Sequence, residues 1–159
     1  MAYSAYAVAN AFVKKATDGE LPGLSPMKLQ KLMYFAQAWH LKVLKEPLLD
    51  DHFARWQHGP VIPSIYHEFK AFGWSPITRQ ATTLSVGANG DYAMNVPMIP
   101  SEDRNTWGLI DAIIKRYGDL PATALSELTH KEGSAWQKKG GGNGTVIEHA
   151  DIEADTALT

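Results

Sequence analysis

The stretch predicted to form a helix at about 26–43 constrains the fold of this chain more than any other. Ser25 is a favourable N-cap, and Pro26 suits the first helical turn because its missing N–H has no partner there. Apolar side chains then recur at helical spacing, with one histidine among them: Leu29, Leu32, Met33, Ala36, His40 and Val43. Phe35 and Trp39 widen this apolar arc. The helix is therefore predicted to pack on more than one side, as the central helix of the fold.

The rest of the chain favours a mostly α fold, a single compact helical domain spanning residues 1–159. Further helices are predicted at 3–17, 63–72, 101–117, 122–129 and 151–158. Ser101 is the expected cap of the fourth helix. Two alternating segments flank a glycine-rich loop, which favours a small β-hairpin at 82–96. Between the second and third helices the chain is predicted to be extended, and Gly59-Pro60 predicts a turn.

Composition excludes several classes of function. The chain has no cysteine, so it can form no disulfide, thiolate metal site or cysteine nucleophile, which fits a cytoplasmic protein. The N-terminus lacks the basic and apolar regions of a signal peptide, and no apolar run reaches the ~20 residues that span a bilayer. We therefore expect no membrane partner. The balance of 15 Lys+Arg against 17 Asp+Glu also argues against a general nucleic-acid binder.

No pattern of catalytic or metal-binding residues emerges. The serines lack a surrounding Gly-x-Ser-x-Gly, and the six histidines lack the spacing of zinc ligands. The glycine-rich run 140–145 lacks the Lys-Ser/Thr ending of a phosphate loop. We therefore expect a protein that is not an enzyme, with no cofactor and no metal. A metal or catalytic site formed by His40, His58 and His130 is the alternative.

The flank of the predicted central helix and its one histidine each have two interpretations. Lys28, Lys31, Phe35 and Trp39 occupy adjacent positions, and such a mixture of cations and aromatic rings is typical of interfaces. Alternatively, the lysine stems cover a normally packed flank. His40 lies within the apolar stripe, either as a neutral core histidine or at the floor of a groove.

Several short motifs match one known family in order and spacing. They comprise Leu29, Gln30, Lys31, Leu32, Tyr34, Phe35, Trp39, His40, Trp56, Gly59, Pro60, Val61, Tyr66, Thr129, His130 and Trp136. With these residues the chain resembles the SocA-like Panacea domain, which is often described as phage-associated. The chain departs from the family at Ala135, where a proline is common, and the family varies over 75–98.

The resemblance implies a mostly helical antitoxin with no established catalytic site, whose partner is a toxin protein encoded by a neighbouring gene. We expect direct binding of the cognate toxin by an exposed flank joined to a backbone turn: Lys28, Lys31, Phe35, Trp39, Gly59 and Pro60. Two alternatives stay open. The chain could bind DNA as a regulator of its own operon, or deliver the toxin to a protease as an adaptor. A second copy of the chain is a further candidate partner, in a homo-oligomer.

Overall fold

The computed structural model describes residues 2–138 and 143–158, and within these ranges the chain is mostly helical, as predicted. The helices are α1 Ala5–Thr17, α2 Pro26–Leu44, α3 Pro63–Phe69, α4 Arg104–Tyr117, α5 Ala122–Thr129 and α6 His149–Glu153. A 3₁₀ turn, Lys70–Phe72, follows α3. The strands are β1 Phe53–Trp56, β2 Gly59–Val61, β3 Thr83–Val86, β4 Tyr92–Asn95 and β5 Val146–Ile147. The prediction about residues 140–142 lies outside the described residues.

Helix α2 begins where the sequence predicts. The Ser25 hydroxyl accepts the N–H of Lys28 at 3.3 Å, and Pro26 occupies the first turn. The helix contacts every other helix and strand β2, so most of its side chains are buried on several sides. Its C-terminal turn differs from the prediction. Val43 is exposed, because the apolar stripe continues past the part of the helix that its neighbours cover.

Two buried glutamines of α2 hold the segments that cross the helix. The Gln30 amide accepts the N–H of Ile62 and donates to the Ile62 carbonyl, at 2.9 and 3.1 Å. The Gln37 amide accepts the N–H groups of Leu48 and Leu49. Each glutamine side chain takes the place of a neighbouring strand. The backbone N–H and C=O groups of the segments that cross the helix therefore have hydrogen-bond partners.

Strands β1, β2 and β5 form a small antiparallel sheet in the order β2-β1-β5. Trp56 pairs with Gly59, so the two residues between them make the turn of the β1–β2 hairpin. The predicted turn at Gly59-Pro60 is therefore wrong, because these residues start the second strand. The buried Arg55 guanidinium donates to the Trp136 and Val146 carbonyls and so ties this sheet to the end of the chain.

Strands β3 and β4 form the hairpin predicted at 82–96, and we name it the β3–β4 ribbon. Its base is fixed by Asn10, a buried residue of α1. The Asn10 amide exchanges two hydrogen bonds with the backbone of Ala81 and donates a third to the Pro97 carbonyl. A single polar side chain of α1 therefore holds both ends of the ribbon against the helices.

Three predicted details are wrong. Helix α4 is capped by Asp103, whose carboxylate accepts the Thr106 N–H at 3.1 Å, and not by Ser101. The last helix begins at His149, earlier than predicted, and ends at Glu153. Helical spacing predicts a core face of the third helix made of Ile65, Tyr66, Phe69 and Phe72. Tyr66 is instead exposed, because only Ile65 and Phe69 of α3 are buried.

Candidate interaction surfaces

The flank of α2 that was predicted to be an exposed contact surface is largely buried. Lys28, Lys31 and Phe35 all lie in the interior, and only Trp39 keeps an accessible side. The C-terminal end of α4 covers this flank. Lys28 donates to the Gly118 carbonyl that ends α4, and Phe35 stacks on Tyr117 with ring centroids 4.3 Å apart. The prediction of an exposed flank is therefore wrong.

Four of the motif residues meet at the start of β2: Lys31, Gly59, Pro60 and Thr129. The Lys31 ammonium donates to the Pro60 carbonyl at 3.1 Å. Gly59 has a φ of +116°, and a Cβ at this position would lie 2.5 Å from Thr129 Oγ1 and 2.9 Å from Lys31 Cε. Helix α2, strand β2 and helix α5 therefore come together so closely that only glycine fits between them.

Three further motif residues, Trp56, His130 and Trp136, hold the other side of the β1–β2 hairpin. The Trp136 indole donates to the Trp56 carbonyl at 2.8 Å, and His130 Nε2 lies 2.9 Å from the Gln57 carbonyl. The rings of His130 and Trp136 are in contact, with centroids 4.0 Å apart. Sequence reasoning did not bring these residues together, because they come from segments far apart in the chain. Their contacts are those of a scaffold for the hairpin.

A cleft opens beside this junction, and we name it the hairpin cleft. Its volume is about 460 Å³. It is lined by Pro26, Met27, Gln30, Lys31, Trp56, Gln57, His58, Val61, Tyr66, Lys70, Gly73 and Trp74. Lys31 is only 1% exposed and so belongs to the floor of the cleft, whereas Trp74 is 77% exposed and stands at its rim.

The Lys31 side chain is a buried cation without a carboxylate partner among the described residues. Burial removes water from the ammonium group and lowers the pKa of Lys31 to about 7. The unfolded chain would keep the ordinary pKa near 10.5. Between these two values the unfolded state binds more protons than the folded state, so the contribution of Lys31 to stability rises with pH.

We expect Lys31→Met to remove this pH dependence. Between pH 7 and pH 9 the free energy of unfolding of the wild type should rise by about 2–3 kcal/mol more than that of the variant. Urea unfolding at pH 6, 7, 8 and 9 measures the difference. Lys45→Met, at an exposed lysine, is the matched control and should follow the wild type. Parallel curves for the wild type and Lys31→Met would contradict the assigned pKa.

A second groove, the α2–α4 groove, lies at the other end of α2, and its volume is about 720 Å³. Its lining comprises Trp39, His40, Val43, Leu44, Asn105, Thr106, Leu109, Ala112, Ile113, Lys115 and Arg116. His40 is half-buried in this lining and is not part of the core. His40 therefore lies in a groove, which is the second of the two environments predicted for it.

The β3–β4 ribbon has one apolar and one polar face. Leu84 pairs with Met94 and Val86 with Tyr92, so these four side chains share one face. Their exposed fractions lie between 60% and 73%. The opposite face carries small and polar residues, with a hydrogen bond from Asn95 to Ser85. Sequence reasoning found this hairpin but not its exposed face, although the alternation of large apolar and small residues was visible.

The residues that the structure describes contain no cluster of three or more histidine or carboxylate side chains arranged to hold a metal ion. In the same ranges, none of the helices combines the length and the hydropathy needed to cross a bilayer.

Comparisons with known proteins agree on one family. The model of the family described as "Antitoxin SocA-like, Panacea domain" matches residues 29–137. The protein "Antitoxin SocA" of Caulobacter vibrioides (strain NA1000 / CB15N) is 30% identical over 143 residues, which cover 90% of this chain and 73% of that protein. No solved structure matches the chain significantly.

Proposed function

The chain belongs to the SocA-like antitoxins of the Panacea domain family, and from that membership we propose that it neutralises a protein toxin by direct binding. In this proposal the chain performs no catalysis. Its partner is the product of a neighbouring gene, and binding covers the surface with which the toxin acts. DNA binding and delivery of the toxin to a protease stay predictions.

The apolar face of the β3–β4 ribbon is the observation that supports direct binding. Large exposed apolar patches on soluble proteins usually mark interaction sites. Here four large apolar side chains lie side by side on a two-stranded ribbon, which has no third strand or helix against that face in the described ranges. A two-stranded ribbon alone is marginally stable in water, so burial against a partner would stabilise it as well.

The composition of this face suits a protein partner. Tyr92 and Met94 are of residue types that are enriched in interfaces relative to the rest of the protein surface. A stable pair buries roughly 1,200–2,000 Å² in total, so the ribbon would form the anchor of a larger contact. The resemblance also implies that the family varies over 75–98, the segment that contains the ribbon, which suits binding of unrelated toxins.

Co-expression tests the proposal. The product of the neighbouring reading frame should arrest growth when expressed alone, and expression of this chain should restore growth. The two proteins should then co-purify in a defined stoichiometry through size-exclusion chromatography with light scattering. Growth arrest that this chain does not relieve would contradict the antitoxin role. Rescue without a complex at micromolar concentration would contradict direct binding. A dimer of this chain that dissociates when Tyr92 and Met94 are replaced by alanine would assign the ribbon to self-association.

A further inference from the structure

The hairpin cleft contains a charge that the described protein does not neutralise. Lys31 has three N–H donors, and among the described residues its one acceptor is the Pro60 carbonyl. The lining of the cleft contains no aspartate or glutamate among the described residues. Because burial of a cation without a partner is costly, such a group is usually paired with an anion or used in a site.

The walls of the cleft are aromatic. Trp56 and Tyr66 meet edge to face with ring centroids 4.9 Å apart, and Trp74 stands at the rim with most of its side chain exposed. A volume of about 460 Å³ lies in the range of small-molecule sites, which combine apolar walls with a few polar groups. The cleft therefore offers flat apolar contacts above a single buried cation.

We infer that the hairpin cleft binds a carboxylate attached to a flat apolar group, with the carboxylate on Lys31 and the apolar group against Trp56, Tyr66 and Trp74. The carboxylate is either that of a free aromatic acid or the C-terminal carboxylate of a bound protein whose last residue is aromatic. Both sources present the same chemistry to the cleft. The inference is independent of toxin binding by the β3–β4 ribbon.

The other titratable groups around the cleft favour an anion over a cation. His58 in the hairpin turn and Lys70 after α3 belong to the lining, and both can carry positive charge. Tyr66 is the remaining titratable group of the lining. His130 is the C-cap of helix α5, and its two ring nitrogens face the Ser126 and Gln57 carbonyls. If Lys31 had only a structural role, its hydrogen bond to the Pro60 carbonyl would be sufficient, and the cleft would bind charged and uncharged ligands equally well.

Indole-3-acetate is a suitable probe, and indole-3-acetamide is its uncharged match. At pH 6 we expect the acid to bind the wild type at least tenfold more tightly than the amide. In Lys31→Met this preference should disappear. For the wild type, affinity for the acid should fall by up to about tenfold per pH unit above pH 7, because Lys31 then loses its proton. Isothermal titration calorimetry measures these affinities.

A spectroscopic readout separates a binding role of Lys31 from a structural one. The ¹³Cε resonance of Lys31 should titrate at higher pH in the presence of indole-3-acetate than in its absence. Trp74→Ala, an exposed change that leaves the fold intact, should weaken binding of the acid and the amide by similar factors. Equal affinities for acid and amide, or no binding of the acid at millimolar concentration, would overturn the inference.

Competition assigns the source of the carboxylate. If the purified toxin displaces indole-3-acetate, and Lys31→Met abolishes the displacement, the carboxylate belongs to the bound protein. If the probe stays bound in the complex, the carboxylate belongs to a free ligand. Either result supports the cleft as a carboxylate site, and both are measured separately from rescue by co-expression.

Discussion

Replacement of Tyr92 and Met94 by alanine is expected to weaken toxin binding at least 100-fold. Both side chains lie on the apolar face of the β3–β4 ribbon and are mostly exposed in the free chain. In an interface they would become buried, and truncation of such anchors typically costs about 2 kcal/mol or more each. A 100-fold loss corresponds to about 3 kcal/mol. Calorimetry with the purified toxin measures the affinity, and co-expression measures the loss of rescue.

The stability of the double variant should change little, because exposed substitutions usually lie within about 0.5 kcal/mol. Ser85→Ala with Asn95→Ala is the matched control, since both residues lie on the polar face of the same ribbon. This control should keep full affinity. Wild-type affinity in the Tyr92/Met94 variant would exclude the apolar face as the contact surface. An equal loss in both double variants would indicate damage to the ribbon.

Replacement of Gly59 by alanine is expected to destabilise the fold by about 3–5 kcal/mol. A φ of +116° is strained for any residue with a Cβ, at a cost of about 1–3 kcal/mol. The new methyl group would also lie 2.5 Å from Thr129 Oγ1, and such overpacking costs about 1–3 kcal/mol. Because native domains are stable by only about 5–15 kcal/mol, urea unfolding should show a large shift of the midpoint.

Gly19→Ala is the control for backbone strain alone. Gly19 has a φ of +82°, and a methyl group added there would meet no atom within 4 Å beyond its chain neighbours, so we expect a loss of about 1–2 kcal/mol. Thr129→Ala added to Gly59→Ala should cost less than Thr129→Ala in the wild type, since it removes the closest atom. Equal losses for Gly59→Ala and Gly19→Ala would show that packing around Gly59 relaxes freely.

Local signals in the sequence predicted much of the fold. Ser25 and Pro26 mark the start of α2 correctly because a helix cap involves only neighbours in the chain. The same holds for the β3–β4 ribbon, whose strands are joined by a short glycine-containing loop. The start of α4 was missed by a few residues, because Ser101 and Asp103 are both good caps and only Asp103 bonds to Thr106.

The burial of side chains and the pairing of distant segments could not be predicted from the sequence in this way. Helical periodicity places Lys28 and Lys31 beside the apolar stripe, but it does not show that α4, α5 and the β1–β2 hairpin cover that flank. Strand β5 contains two residues and pairs with β1 from a distant part of the chain, so it lacks a local pattern. The candidate sites depend on such contacts, and therefore the hairpin cleft was not predicted.

The burial of Lys31 changes the net charge of the chain near neutral pH. A lysine with the ordinary pKa of 10.5 is fully charged at pH 7, whereas Lys31, with a pKa of about 7, loses its proton as the pH rises through neutrality. Loss of this one positive charge takes the formal net charge from −2 to −3. Above neutral pH the chain therefore attracts basic proteins and repels nucleic-acid phosphates more strongly than its composition suggests, over a screening length of about 8 Å at physiological salt.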